Sequence, residues 1–242
     1  MLNEAWLVAL LTLGAGGAMA VGGLIAMYER IQSNWLEEEF RHSVIAFGGG
    51  TLLSAVALVL VPEGSKVLSV SATAILFAAG GIVFMGLDIL FVSMKSPVAQ
   101  LGAMLADFIP EAMALGAAFA TGESTGPLLA VLIALQNIPE GFNSYREITT
   151  SGKFTGRVVV IAFASMAVFG PIAGLTGYFV LASYPAVVGG IMIFAAGGIL
   201  YVIFQDIAPQ AKLEKHWLPP FSAVIGFLFG LVGQMVTTGS FW

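Results

Sequence analysis

Long apolar runs, interrupted by short polar or Pro/Gly-rich breaks, follow one another along the whole chain. They predict eight helices, near residues 5–28, 43–62, 70–94, 98–121, 126–145, 157–181, 185–208 and 219–239. Each run approaches the ~20 residues that a bilayer-spanning helix needs. A transmembrane barrel would instead show strict apolar/polar alternation over segments of about ten residues. The expected fold class is therefore all-α, a polytopic membrane protein with eight transmembrane helices. Residues 1–242 are expected to form a single transmembrane domain. The first run starts almost at Met1 without a basic segment before it or a small-residue cleavage pattern after it, so it reads as a retained helix rather than a signal peptide.

Composition agrees with this pattern. Of 242 residues 58% are apolar and only 10% charged, against about a quarter charged in an ordinary soluble domain. Such hydrophobicity is incompatible with disorder. Nine Lys/Arg against 14 Asp/Glu give a net charge of -5 and no basic footprint for nucleic acid. With no Cys, disulfides, thiolate metal sites and Cys nucleophiles are all excluded.

The few charges also orient the chain. Arg30, Arg41, Lys95, Arg146, Lys153, Arg157, Lys212 and Lys215 all follow odd-numbered spans, and only Lys66 falls on the opposite side. Basic residues near span ends stay cytoplasmic. An even number of spans then places both termini outside the cytoplasm.

An ionisable group at mid-membrane costs about 2.5–3.5 kcal/mol even on lenient insertion scales, so it must face protein, water or a partner. Spans four and five hold most such groups. Span four reads Asp107-Phe108-Ile109-Pro110-Glu111, and span five repeats the pattern as Gln136-Asn137-Ile138-Pro139-Glu140. Residues four apart share a helix face, which pairs Asp107 with Glu111 and Gln136 with Glu140. Asn137 is close enough to lean toward the same point. Pro110 and Pro139 lack the backbone N–H, which frees the carbonyls of Ala106 and Leu135. Carboxylates, amides and free carbonyls are hard oxygen ligands, suited to Mg, Ca and Mn and able to hold Zn or Fe(II). A single Pro kink ordinarily reflects packing alone, but a duplicated kink beside three carboxylates, with no Lys or Arg nearby, points to a cation. His42 and His216 fall in connectors and read as solvated loop residues. Asp88 and Asp206, near the cytoplasmic ends of spans three and seven, read either as an exit route for a cation or as interfacial charges.

Phe47 to Pro62 matches Phe194 to Pro209 at constant offset, in spans that run in opposite directions. Inverted repeats of this kind build midplane sites in many transporters. Composition offers a competing explanation, since Phe77 to Ile82 also repeats as Phe194 to Ile199.

With these residues in view, the chain resembles the ZIP (Zrt/Irt-like) family of divalent metal transporters. That family has eight spans, extracytoplasmic termini, and P-E-G motifs in spans four and five. The matching segments are D-F-I-P-E-A and Q-N-I-P-E-G, with A-F-G-G-G-T-L-L in span two and A-A-G-G-I-L-Y in span seven. The resemblance implies metal ligands at Asp107, Glu111, Gln136, Asn137 and Glu140. It also implies a divalent metal (Zn or a relative such as Fe, Mn or Cd) as substrate, no tightly bound cofactor, a homodimer, and uptake into the cytoplasm across the plasma (inner) membrane. Phe108 replaces an Asn of the family's second metal site, and Val168 stands where many members carry a Glu ligand. One site, with a weakened or missing second, is expected. A non-transporting sensor or structural relative is the alternative. An intramembrane hydrolase is disfavoured, because no Cys, no membrane-depth His and no Ser nucleophile accompany the carboxylates.

Overall fold

In the computed structural model, residues 2–29, 34–94, 97–122, 125–150, 152–211 and 216–239 are described. Among them are eight long helical rods and no strand. We number them α1 (Leu2–Tyr28), α2 (Asn34–Ala55, carried on through Val56–Leu60 and Val61–Ser65), α3 (Val70–Met94), α4 (Pro97–Thr121) and α5 (Gly126–Thr150). The last three are α6 (Gly156–Met166 and Phe169–Phe179), α7 (Pro185–Val202, carried on through Ile203–Ile207 and Ala208–Gln210) and α8 (Leu218–Thr238).

Seven of these are long and apolar enough to cross a membrane. The exception is α5, whose 25 residues carry Gln136, Asn137, Glu140, Asn143, Arg146 and Glu147. Its environment explains why this is tolerated. It packs against α1, α2 and α4, and most of its residues are buried in protein. A helix shielded from lipid does not have to be apolar all round. The chain is a multi-pass membrane protein.

Prolines shape three further rods. In α6 the helix breaks between Met166 and Phe169, ahead of Pro171, which has no N–H to return to Ala167. The last bonds before the break tighten, with Val168 N donating to Ser165 O at 3.2 Å. In α2 and α7 the chain widens into a π-turn just before Pro62 and Pro209. Val61 N donates to Val56 O in the first and Ala208 N to Ile203 O in the second. The repeated sequence thus gives the same local geometry twice, at the same offset as the sequence match.

Small residues let the rods approach closely, as is common where lipid removes the hydrophobic drive between helices. A side chain at Gly80 would collide with the carbonyl of Phe194, and one at Gly197 with that of Phe77. The two Phe-Ala-Ala-Gly-Gly-Ile copies therefore pack against each other, one from α3 and one from α7. Across the bundle, Gly50 of α2 meets Ala223 of α8, and Gly226 meets Phe47, in the same reciprocal way. The core between α1, α4, α5 and α6 is filled by Met19, Phe108, Leu115, Leu129, Ile133 and Phe163, all fully buried.

Arg146 of α5 meets Glu29 at the end of α1 at 2.9 Å, and Arg41 of α2 donates to Asn143 of α5 at 3.4 Å. The basic residues after spans one and five thus share one end of the bundle. Arg30, Lys95, Lys212 and Lys215 lie outside the described residues.

Candidate cation site

The two Pro-Glu segments lie side by side, because α4 and α5 pack together at mid-length. Gln136 Nε2 donates to both carboxylate oxygens of Glu111, at 2.7 Å each. Glu111 is 0% exposed, and Gln136 is also buried. In this arrangement the amide nitrogen faces Glu111 and the amide oxygen faces away. That oxygen and Asp107 Oδ1 are buried without a hydrogen-bond partner among the described residues. Orphaned acceptors of this kind are uncommon in folded proteins and call for a partner.

The residues that carry them line a cavity of ≈ 540 Å³, room for many waters at about 30 Å³ each. Asp107, Gln136 and Glu140 line it, and Glu111 and Asn137 do not. Asn137 is placed differently from the sequence expectation: its Nδ2 donates to the carbonyl of Ala15 in α1 at 2.8 Å, a tie between helices. Of the two carbonyls freed by proline, that of Ala106 belongs to a lining residue and that of Leu135 does not.

The cavity extends from this floor toward the end of the bundle that holds Arg41 and Arg146, past Phe91, Gln100, Glu147 and Gln210. Among the described residues, its walls carry five carboxylates, Asp88, Asp107, Glu140, Glu147 and Asp206, and no Lys, Arg or His. Low-dielectric walls of one sign focus the field and concentrate counter-ions. Asp88 and Asp206 therefore border the space that a cation would traverse, with Tyr201 Oη donating to Asp88 Oδ2 at 2.9 Å. Among the described residues, no three His, Asp or Glu side chains converge closely enough to hold a metal by themselves.

Sequence reading missed Gln100, Asn143, Ser144 and Glu147. Their signal was present: Gln136, Glu140, Asn143 with Ser144, and Glu147 fall at helical spacing on one face of α5. Thr51 and Ser54 are buried but donate to carbonyls of their own helix, each at 2.7 Å, a local use of hydroxyls. His216 Nδ1 lies 3.4 Å from Glu39 Oε2, and neither His216 nor His42 lines the cavity.

The two positions where ligands of the family are missing also resolve. Phe108 is 1% exposed, and its ring fills the space beside Gly16 and Gly170. Val168 is 55% exposed, on the outer side of the break in α6. A ligand at position 168 would point out of the bundle, so the inferred match of that position to a Glu ligand is not upheld here. The inward residues at the break are Met166 and Ala167.

Fold and cavity together define the class: a multi-pass α-helical membrane protein with an acidic cavity that reaches mid-bundle from one end. No family model matches the chain. Over 128 residues it is 26% identical to the zinc transporter ZIPB of Bordetella bronchiseptica, a match that covers 52% of this chain and 40% of that protein. The matched stretch thus spans less than half the length of the relative, whose name describes a transporter and not an enzyme.

Proposed function

We propose that the protein carries a divalent metal cation, zinc or a related transition metal such as Fe, Mn or Cd, across the membrane into the cytoplasm. The observation that carries this reading is the pair of orphaned buried oxygens, Asp107 Oδ1 and Gln136 Oε1, on two residues that line a cavity whose described lining residues include five carboxylates and no basic residue. The distant similarity to a zinc transporter supports the same class of cargo. In this reading the site is built on α4 and α5 from Asp107, Glu111, Gln136 and Glu140, and Asn137 holds α1 beside them. The metal is cargo, and no resident cofactor takes part. Phe108 offers no ligand where the family's second site has an Asn, which favours one site.

The orientation given by the basic residues makes the open end cytoplasmic and both termini extracytoplasmic, in the plasma (inner) membrane. The matched π-turns and glycine crossings of α2 and α7 support an inverted repeat, whose two halves exchange access to the site. A homodimer stays part of the proposal.

Uptake of radiolabelled Zn, Mn, Fe, Cd and Co into proteoliposomes tests the reading. We expect uptake by the native chain and its loss in Asp107→Ala/Glu140→Ala; undiminished uptake in that variant refutes the site. One observation favours a second reading, a non-transporting metal sensor or structural relative: no three acidic or imidazole groups converge among the described residues. Calorimetric titration with uptake separates the two, since binding without uptake describes a sensor.

A further inference from the structure

The cavity faces of α2 and α5 continue toward the open end as two facing rows. On α2, Arg41 stands one turn beyond Ile45, on the face where Ile45, Gly48 and Leu52 line the cavity. On α5 the row is Glu140, Asn143 and Glu147, all of them lining residues. Where the rows meet, an amide joins them. Arg41 Nη2 donates to Asn143 Oδ1 at 3.4 Å, and Asn143 Nδ2 donates to Glu147 Oε1 at 2.9 Å.

The first of these bonds is poor for the group that makes it. A guanidinium carries five N–H donors and stays charged at any physiological pH. Here it meets a neutral oxygen beyond the usual N–H···O range, and its Nε is buried without a hydrogen-bond partner among the described residues. One turn further along α5 stands Glu147, exposed, whose carboxylate can accept two of those donors together. Such a pair is roughly twice as strong as a neutral hydrogen bond. The step from position 143 to 147 is about 5–6 Å, which an arginine side chain covers by rotating about its own bonds. Arg146, the neighbour of Glu147 in sequence, is engaged with Glu29 of α1 instead.

We infer that Arg41 gates the cavity. On Asn143 it leaves the open end clear; on Glu147 it lies across that end, cancels the carboxylate's charge and sets a positive charge in the path of a cation. This rests on the cation-site reading above and adds to it the residue that opens and shuts the path. A divalent cation passing the rim competes with Arg41 for Glu147 and returns it to the neutral amide, so the gate yields to cargo.

Thiol labelling tests the gate without metal. The chain has no Cys, so Ala103→Cys, at a partly buried lining position, supplies the single thiol of purified full-length protein in nanodiscs. Its reaction is timed with a cationic and with an anionic methanethiosulfonate. Arg41→Gln and Glu147→Gln, each made on this background, are expected to speed both reagents by about 2–5-fold, the population shift that loss of a partly exposed ion pair gives. Asn143→Ala removes the open-state partner of Arg41 and is expected to slow both. The charge swap Arg41→Glu/Glu147→Arg restores the starting rates, which Arg41→Glu alone does not.

The inference is overturned if Asn143→Ala moves the rates in the same direction as Arg41→Gln, because the contact is then a static tie between α2 and α5. It is also overturned if Glu147→Gln has no effect, if the swap gives no rescue, or if the cationic reagent is sped while the anionic one is slowed, as a change of local charge without a gate requires. These rates separate the gate from the cation-site reading. A native chain that takes up no metal refutes that reading, and labelling rates in the expected order then still uphold a movable arginine at the rim.

Discussion

On one side of the Glu111–Gln136 contact α4 and α5 border an open, acid-lined space; on the other side the same two helices are packed solid. The open half carries Gln100, Asp107, Glu140, Asn143 and Glu147 on its walls. The closed half is Ala112, Leu115, Ala118, Leu129 and Ile133, all buried. Both halves are built on the same two continuous helices, each with a Pro-Glu inside it. The difference is one of side-chain chemistry: small and apolar residues interdigitate and exclude water, while carboxylates and amides keep their neighbours apart and stay solvated. A site at the boundary is open to one end and sealed from the other, which is the condition that a carrier has to meet in any one state.

The contrast can be broken most strongly at the boundary itself. Asp107→Asn/Glu140→Gln removes both charges that face the cavity, and we expect cadmium affinity to fall by more than the about 100-fold that loss of a supporting partner costs, measured by calorimetry. In the closed half, Phe108→Ala leaves a void beside Gly16 and Gly170, with an expected cost of about 3–5 kcal/mol. Thermal denaturation in detergent measures it. Because the chain has no Cys, single cysteines report access without background. Glu147→Cys, exposed at the open end of the cavity, is expected to react with a membrane-impermeant thiol reagent from the cytoplasmic side, and Ala118→Cys, buried in the closed half, to stay unlabelled. The smallest effect lies at the open rim: Arg146, partly exposed, pairs with Glu29 at 2.9 Å and stands 5.8 Å from the Phe142 ring. Arg146→Gln is expected to cost about 1 kcal/mol or less and to leave cadmium affinity within error.

Much of this architecture is written in the apolar runs. Span three is expected at 70–94 and α3 covers Val70–Met94; most other ends agree within a few residues. The large departures share one cause. Both α2, which begins at Asn34, and α5, which reaches Thr150, continue through polar turns beyond their apolar stretches. Hydropathy marks the part of a helix that meets lipid, and the hydrogen-bonded rod extends past it. The matched segments of α2 and α7 were visible as a repeat, but their π-turns follow from how Pro62 and Pro209 reshape the ladder in place.

At the site, sequence brought Asp107, Gln136 and Glu140 to one place, because i, i+4 spacing and the duplicated motif constrain them. It did not show that Glu111 and Asn137 face away from the cavity. That depends on which neighbour each side chain meets, Gln136 for one and the Ala15 carbonyl for the other. Position 168 failed for a similar reason: the break ahead of Pro171 turns Val168 outward, and a linear match takes no account of rotation about a helix axis.

Anomalous scattering from crystals soaked in cadmium or zinc tests the central claim most directly, since it counts the sites and identifies their ligands together. The account expects one strong peak, bounded by Asp107, Gln136 and Glu140. Two neighbouring peaks, a peak away from α4 and α5, or none at all would contradict it.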